Sequence, residues 1–135
     1  MSETIQETLS IGKKLVEYCN QGKFREAITE LYADDAKHVE AAPMGPEMPA
    51  ENSGKEKLLQ LNDMWEGSHE IHAMEMKGPF PHSNGNFAVW MSLDVTSSEG
   101  PMAGQRMQME EVCLYTVKDK KISQVDFYWD PTAPG

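Results

Sequence analysis

Two cysteines in 135 residues are too few for a disulfide scaffold, and Cys19 and Cys113 lack the close spacing of a metal site. Both read as reduced core thiols. No apolar run approaches the roughly 20 residues needed to cross a bilayer, so a membrane span is excluded as an expectation. The start, "MSETIQETLS", lacks the basic and apolar regions of a secretion signal. The expected location is therefore cytoplasmic. No Lys/Arg cluster is longer than a pair, and the formal net charge is −10. A phosphate backbone needs the opposite balance, so nucleic acid is not an expected partner. There is no G-x-S-x-G elbow, no phosphate loop and no dinucleotide fingerprint.

What is present is a globular chain of single-domain size, 1–135, with three tryptophans and ten methionines. Methionine fills irregular apolar gaps, which suits either a Met-rich core or a deformable pocket. Thr4-x-x-Glu7 predicts a helix start, and Ile5, Leu9, Val16 and Cys19, with Leu15, recur at helical spacing. Gly22 predicts its end. Phe24, Ala27, Ile28, Leu31 and Tyr32 form a full apolar stripe, closed by "ADD" at 33–35. "AKHVEA" at 36–41 is a short extended piece, followed by a Pro/Gly-rich loop to Gly54. Ser53-x-x-Glu56 predicts a third helix, with Leu58, Leu61 and Trp65 on one face. From His69 the texture becomes β: four strands joined by hairpins, with Asn84-Gly85 and "KDKK" as turns.

Helices segregated from an antiparallel meander define an α+β fold. The expected form is a cone-shaped, curled, mostly antiparallel sheet wrapped around three N-terminal helices, an α+β roll of the cystatin-like kind.

"AITELYADDAKHVEA", "GKEKL" at 54–58 and "LYTVKDKKISQVDFYWD" resemble the nuclear transport factor 2-like superfamily and, within it, the SnoaL-like group, over residues 5–130. The last hairpin departs from the usual Asp-Gly-Lys-Ile, with Lys120 in place of glycine. The superfamily holds enzymes such as ketosteroid isomerase, limonene epoxide hydrolase and polyketide cyclases, and also non-enzymatic association domains. Fold alone does not choose among them.

Strand parity then selects candidates. Val125, Phe127 and Trp129 share the interior face of the last strand. For 86–97 both faces are partly apolar. Similarity to limonene epoxide hydrolase matches its acid to Asp94, which implies that Asp94 and Trp90 face the cone. That enzyme's arginine is replaced by Ser92 and its second acid by Phe127, so its mechanism does not carry over. Its polar pair on the first strand matches His38 and Glu40. In "RMQMEEVCLYTV" the same register places Met107, Met109, Glu111, Cys113 and Tyr115 inward and Glu110 outward. A one-residue bulge would exchange the two glutamates.

The candidate catalytic set is thus His38, Glu40, Asp94 and Glu111. The expected pocket wall is Trp65, Trp90, Met107, Met109, Phe127 and Trp129. A carboxyl in such a pocket, near a like charge, has a raised pKa and can move a proton next to a carbonyl. The expected partner is a small apolar carbonyl compound, with no cofactor and no metal. A homodimer would form through the outer sheet face. The alternatives are a non-catalytic ligand-binding protein and an association module. Plainer roles stand beside these: His38 bonding a loop, Glu40 capping one, and Asp94 paired with Arg106 across strands. His69, Glu70, His72 and His82 suggest metal ligands, but His69 and His72 are three apart and would point to opposite faces of a strand.

Overall fold

The computed structural model of the chain describes residues 4–43, 48–100 and 102–132. Among these, three helices, α1 (Ile5–Asn20), α2 (Phe24–Leu31) and α3 (Lys55–Ser68), accompany six strands. The strands are β1 (Tyr32–Val39), β2 (Glu51–Ser53), β3 (His69–Pro81), β4 (Asn86–Ser97), β5 (Arg106–Lys118) and β6 (Lys121–Tyr128). They form one sheet in the order β2-β1-β6-β5-β4-β3. β1 runs parallel to β6, and every other pairing is antiparallel. The meander β3–β6 follows the order read from the sequence, and the sheet does not close into a barrel.

Local chemistry explains the elements. Thr4 caps α1: its hydroxyl accepts from the Glu7 amide at 3.0 Å and donates to the Glu7 carboxylate. The buried residues of α1 are Thr8, Gly12, Leu15 and Cys19; Leu15 and Cys19 were expected, whereas Thr8 and Gly12 are buried in place of Ile5, Leu9 and Val16. Ile5 is exposed. The reason is docking: the Asn20 side chain bonds both the amide and the carbonyl of Met76 on β3, at 2.8 and 3.0 Å. This turns the small residues Thr8 and Gly12 onto the sheet.

Three sequence expectations are corrected. Tyr32 and "ADD" do not close α2. The helix stops at Leu31, and these residues begin β1, with a register shift against β6 between Tyr32 and Lys37. Ser53 caps nothing, because α3 starts from Gly54 at φ 96. Glu51–Ser53, assigned to a loop, is a short strand that returns against β1. Positions 44–47 of that expected loop lie outside the described residues. The last hairpin turns on Asp119 and Lys120, both with positive φ (52° and 63°), a cost accepted in place of the usual glycine.

Leu15, Leu58, Phe87, Val89, Val95, Cys113, Ile122 and Val125 are almost fully buried between sheet and helices. Thr8 is the polar member of this core. Its Oγ1 accepts from the Gly85 amide at 3.0 Å, tying α1 to the β3–β4 turn. Thr8→Val keeps the shape and leaves that buried N–H unpaired. Its expected cost is about 1–3 kcal/mol, read as a lower urea midpoint at unchanged m-value.

Candidate functional site

The two carboxyls of "EE" separate as strand alternation requires. Glu111 pairs in register with Met91, and both lie on the concave face; Glu110 pairs with Ser92 on the outer face. No bulge intervenes between β4 and β5. Burial along β5 alternates accordingly. Met107, Met109 and Glu111 are half-buried, and Cys113, Tyr115 and Val117 are buried. The burial gradient marks the geometry of the concavity. At one end Tyr115, Val117, Ile122 and Val125 are sealed, while at the other Met91, Met107, Met109, Glu111, Phe127 and Trp129 retain some exposure.

Glu111 sits in this half-open region with the Cys113 thiol donating weakly to its Oε1 at 3.8 Å. Burial pushes its pKa up to about 7, and the negative charge of Glu40 adds to the rise. Glu40 follows the end of β1. Its Oε2 accepts from the Trp129 indole N–H at 2.8 Å. Burial raises its pKa too, and the indole bond works against that rise. His38, two residues earlier, shares its face. Its Nε2 lies 3.0 Å from the Tyr32 hydroxyl, and its ring meets Phe127 edge-on at 4.8 Å. Burial pushes the imidazole down to about 4, so it is neutral at physiological pH.

The structure thus brings Glu111, Glu40 and His38 to one concave face, which Met107, Met109, Phe127 and Trp129 share. It does not bring Asp94 or Trp90 there. Both lie on the outer face of β4, because Phe87, Val89, Met91, Leu93 and Val95 fill the inner one. Asp94 is held by Arg106 in a two-pronged pair at 2.8 and 2.7 Å, which keeps its carboxyl below the usual range. The plainer alternative for this residue is the correct one. Trp90 donates its indole N–H to Glu110 at 2.7 Å, and Lys77 lies over its ring. Trp65 stacks on His69 at the α3–β3 junction, with centroids 4.5 Å apart.

Tyr32 and Tyr115 are the residues missed as participants. Both are buried, and the Tyr32 hydroxyl reaches His38. Tyr115 carried a signal, since it shares a face with Glu111; Tyr32 carried none, because the register of β1 against β6 shifts between it and Lys37. His69 bonds the Trp65 carbonyl, and His72 bonds Thr96 at 2.7 Å on the exposed side. Among the described residues no three His, Cys, Asp or Glu side chains gather as metal ligands. Two surface clefts, of about 350 Å³ near Lys121 and about 520 Å³ near His69, do not touch the buried acids.

Comparison with known proteins agrees with this architecture. Residues 6–129 match the family model of the SnoaL-like domain. The chain belongs to the SnoaL-like family. A crystal structure from Mesorhizobium loti, described as a candidate SnoaL-like polyketide cyclase and also as a carbohydrate phosphatase, is 37% identical. It covers 89% of this chain and 97% of its own, with a TM-score of 0.80. A candidate polyketide cyclase from Xanthomonas campestris, 15% identical, covers 95% of this chain and 93% of its own at a TM-score of 0.70. A candidate isomerase from Bacillus subtilis, 14% identical, covers 96% and 90% at 0.71. These two share the fold alone. No curated protein matches the chain. Within this SnoaL-like domain no described helix is long and apolar enough to cross a membrane.

Proposed function

We propose that this SnoaL-like protein binds a small apolar carbonyl compound in its concavity and moves a proton on the carbon next to the carbonyl. The reaction class is enolisation leading to isomerisation or aldol-type ring closure, without a cofactor. The observation that carries the reading is Glu111: a half-buried carboxyl, beside a second carboxyl and a methionine and aromatic wall, held near neutrality. A base with a pKa near the working pH combines a useful ionised fraction with proton affinity. In this scheme Glu111 takes the proton as carboxylate and returns it at a second carbon. Glu40, anchored by Trp129, supplies the negative charge that keeps Glu111 basic. The description of the Mesorhizobium loti relative as a cyclase is consistent with this chemistry. The test is α-proton exchange of flat apolar ketones in D₂O, followed by NMR. Acceleration by the wild type that disappears in Glu111→Gln supports the reading; equal rates for both overturn it.

We also infer a second copy of the chain on the outer sheet face. Phe80, Leu114, Val112 and Tyr128 are 55%, 37%, 40% and 57% exposed and form, with Ala88 and Trp90, a row across four neighbouring strands. Charged groups beside that row are already matched, Asp94 by Arg106 and Glu110 by Trp90. The face can therefore be covered without stranding those charges. Sedimentation is expected to give a dimer, and the double variant Trp90→Glu, Val112→Lys is expected to shift it to monomer. A monomeric wild type at tens of micromolar would refute the inference.

A further inference from the structure

Two polar groups behind the concavity, Tyr32 and His38, share a hydrogen bond whose proton can be placed. Tyr115 is 4% exposed, and its ring is pinned by stacking on Phe87 at 4.9 Å and 5°. Tyr32 is 3% exposed. The Tyr32 hydroxyl in turn lies 3.0 Å from Nε2 of His38. Phe127 covers the His38 ring edge-on. Each phenol holds one proton, and burial drives both strongly away from ionising. A buried hydroxyl proton left without an acceptor costs free energy. The Tyr32 proton then needs its own acceptor, and the nitrogen within reach is Nε2. An Nε2 that accepts carries no proton. In a neutral imidazole the proton must then sit on Nδ1.

We propose that Tyr32 is a positioning residue that holds His38 as the neutral Nδ1–H tautomer. His38 then serves as an uncharged proton donor and not as a base, because the Nε2 lone pair is already occupied by Tyr32. The expectation that His38 shuttles a proton is narrowed to donation from Nδ1, for instance to a carbonyl or enolate oxygen. The assignment of the tautomer stands on the hydrogen-bond geometry. Its use in turnover rests on the acid–base function proposed above.

The experiment is a long-range ¹H–¹⁵N correlation spectrum of protein labelled with ¹⁵N-histidine. His38→Gln assigns the His38 signals among the four histidines. The expected wild-type pattern is a protonated, pyrrole-type Nδ1 and an unprotonated, pyridine-type Nε2, unchanged between about pH 5.5 and 8.5. Tyr32→Phe is expected to shift His38 toward the Nε2–H form, an effect that a purely space-filling role for the phenol would not produce. An Nε2–H pattern in the wild type overturns the proposal, as does a His38 that protonates within that range. The wild-type spectrum decides even if Tyr32→Phe fails to fold. The test reads no turnover: if Glu111→Gln leaves proton exchange untouched while the Nδ1–H pattern holds, the acid–base function fails and the tautomer assignment survives.

Discussion

Glu111→Gln is expected to lower proton-transfer turnover by about 10²- to 10⁴-fold and to make the folded protein more stable at alkaline pH. Both effects come from one cause. The interior disfavours the ionised carboxyl, so the folded-state pKa lies near 7 against an ordinary value of 4.5. For a group whose folded pKa is raised, the proton is held more tightly by the folded chain. Its contribution is fully present below about pH 4.5 and is lost as pH rises through about 7. Above that range the wild type carries an ionised, desolvated Glu111 at a cost of up to about 3 kcal/mol. Glutamine cannot ionise and so does not incur it. Urea unfolding at pH 5 and pH 9 should show the variant's advantage only at the higher pH. The activity profile has the opposite sign, since the carboxylate is the base. Turnover should rise through about pH 7 and level off above it. An enzyme whose activity is flat from pH 5 to 9, or a variant destabilised equally at both pH values, would remove Glu111 from the role of a strained interior base.

The coupling to Glu40 sharpens this expectation. Its charge is a named contributor to the rise at Glu111, and its own position is fixed by Trp129. Removing the Glu40 charge should therefore pull the midpoint of the activity profile below 7, because a like charge no longer opposes ionisation.

The sequence carried the inner set unevenly. Glu111, His38 and Glu40 were legible because alternation along a strand is a local rule, and no bulge broke it in β5. Asp94 was misplaced because its face was taken from likeness to one relative's acid, and only the β4–β5 pairing in the fold decides it. In an antiparallel pair, opposed residues share a face, and Glu111 opposes Met91. Once Glu111 points inward, the odd-numbered residues of β4 must do so too, and Asp94 goes outward with Glu110. Tyr32 was hidden differently. It completes the apolar stripe of α2 in sequence, yet the backbone turns extended at that residue. Local periodicity cannot see this, because the reason lies in its pairing with Ile122 some 90 residues away. β2 was invisible because three polar residues, "ENS", become a strand only through β1 beside them.

The concavity exists only if α1 lies flat on the sheet, and this rests on a residue with no side chain. A Cβ built on Gly12 would stand 2.6 Å from Cβ and 2.8 Å from Cγ of Pro79, and 3.3 Å from the Phe87 ring. Carbon atoms in contact normally keep about 3.5–4.0 Å apart. The proline ring cannot swing aside as the end of a flexible chain would, and Phe87 is 1% exposed and stacked on Tyr115. Glycine in a helix interior ordinarily costs about 1 kcal/mol relative to alanine, so only packing explains its use here. Gly12→Ala should then destabilise instead of stabilise, the reverse of the usual helix effect. Gly12→Val adds two further methyl groups to the same crowded space. Its expected cost is about 3 kcal/mol or more, seen as a fall in Tm of about 10 °C. Because Phe87 stacks on Tyr115, lifting α1 also loosens the sealed end of the inner face. A Gly12→Ala variant more stable than wild type would mean that α1 is not seated against Pro79, and the floor beneath Tyr115 would have to be redrawn.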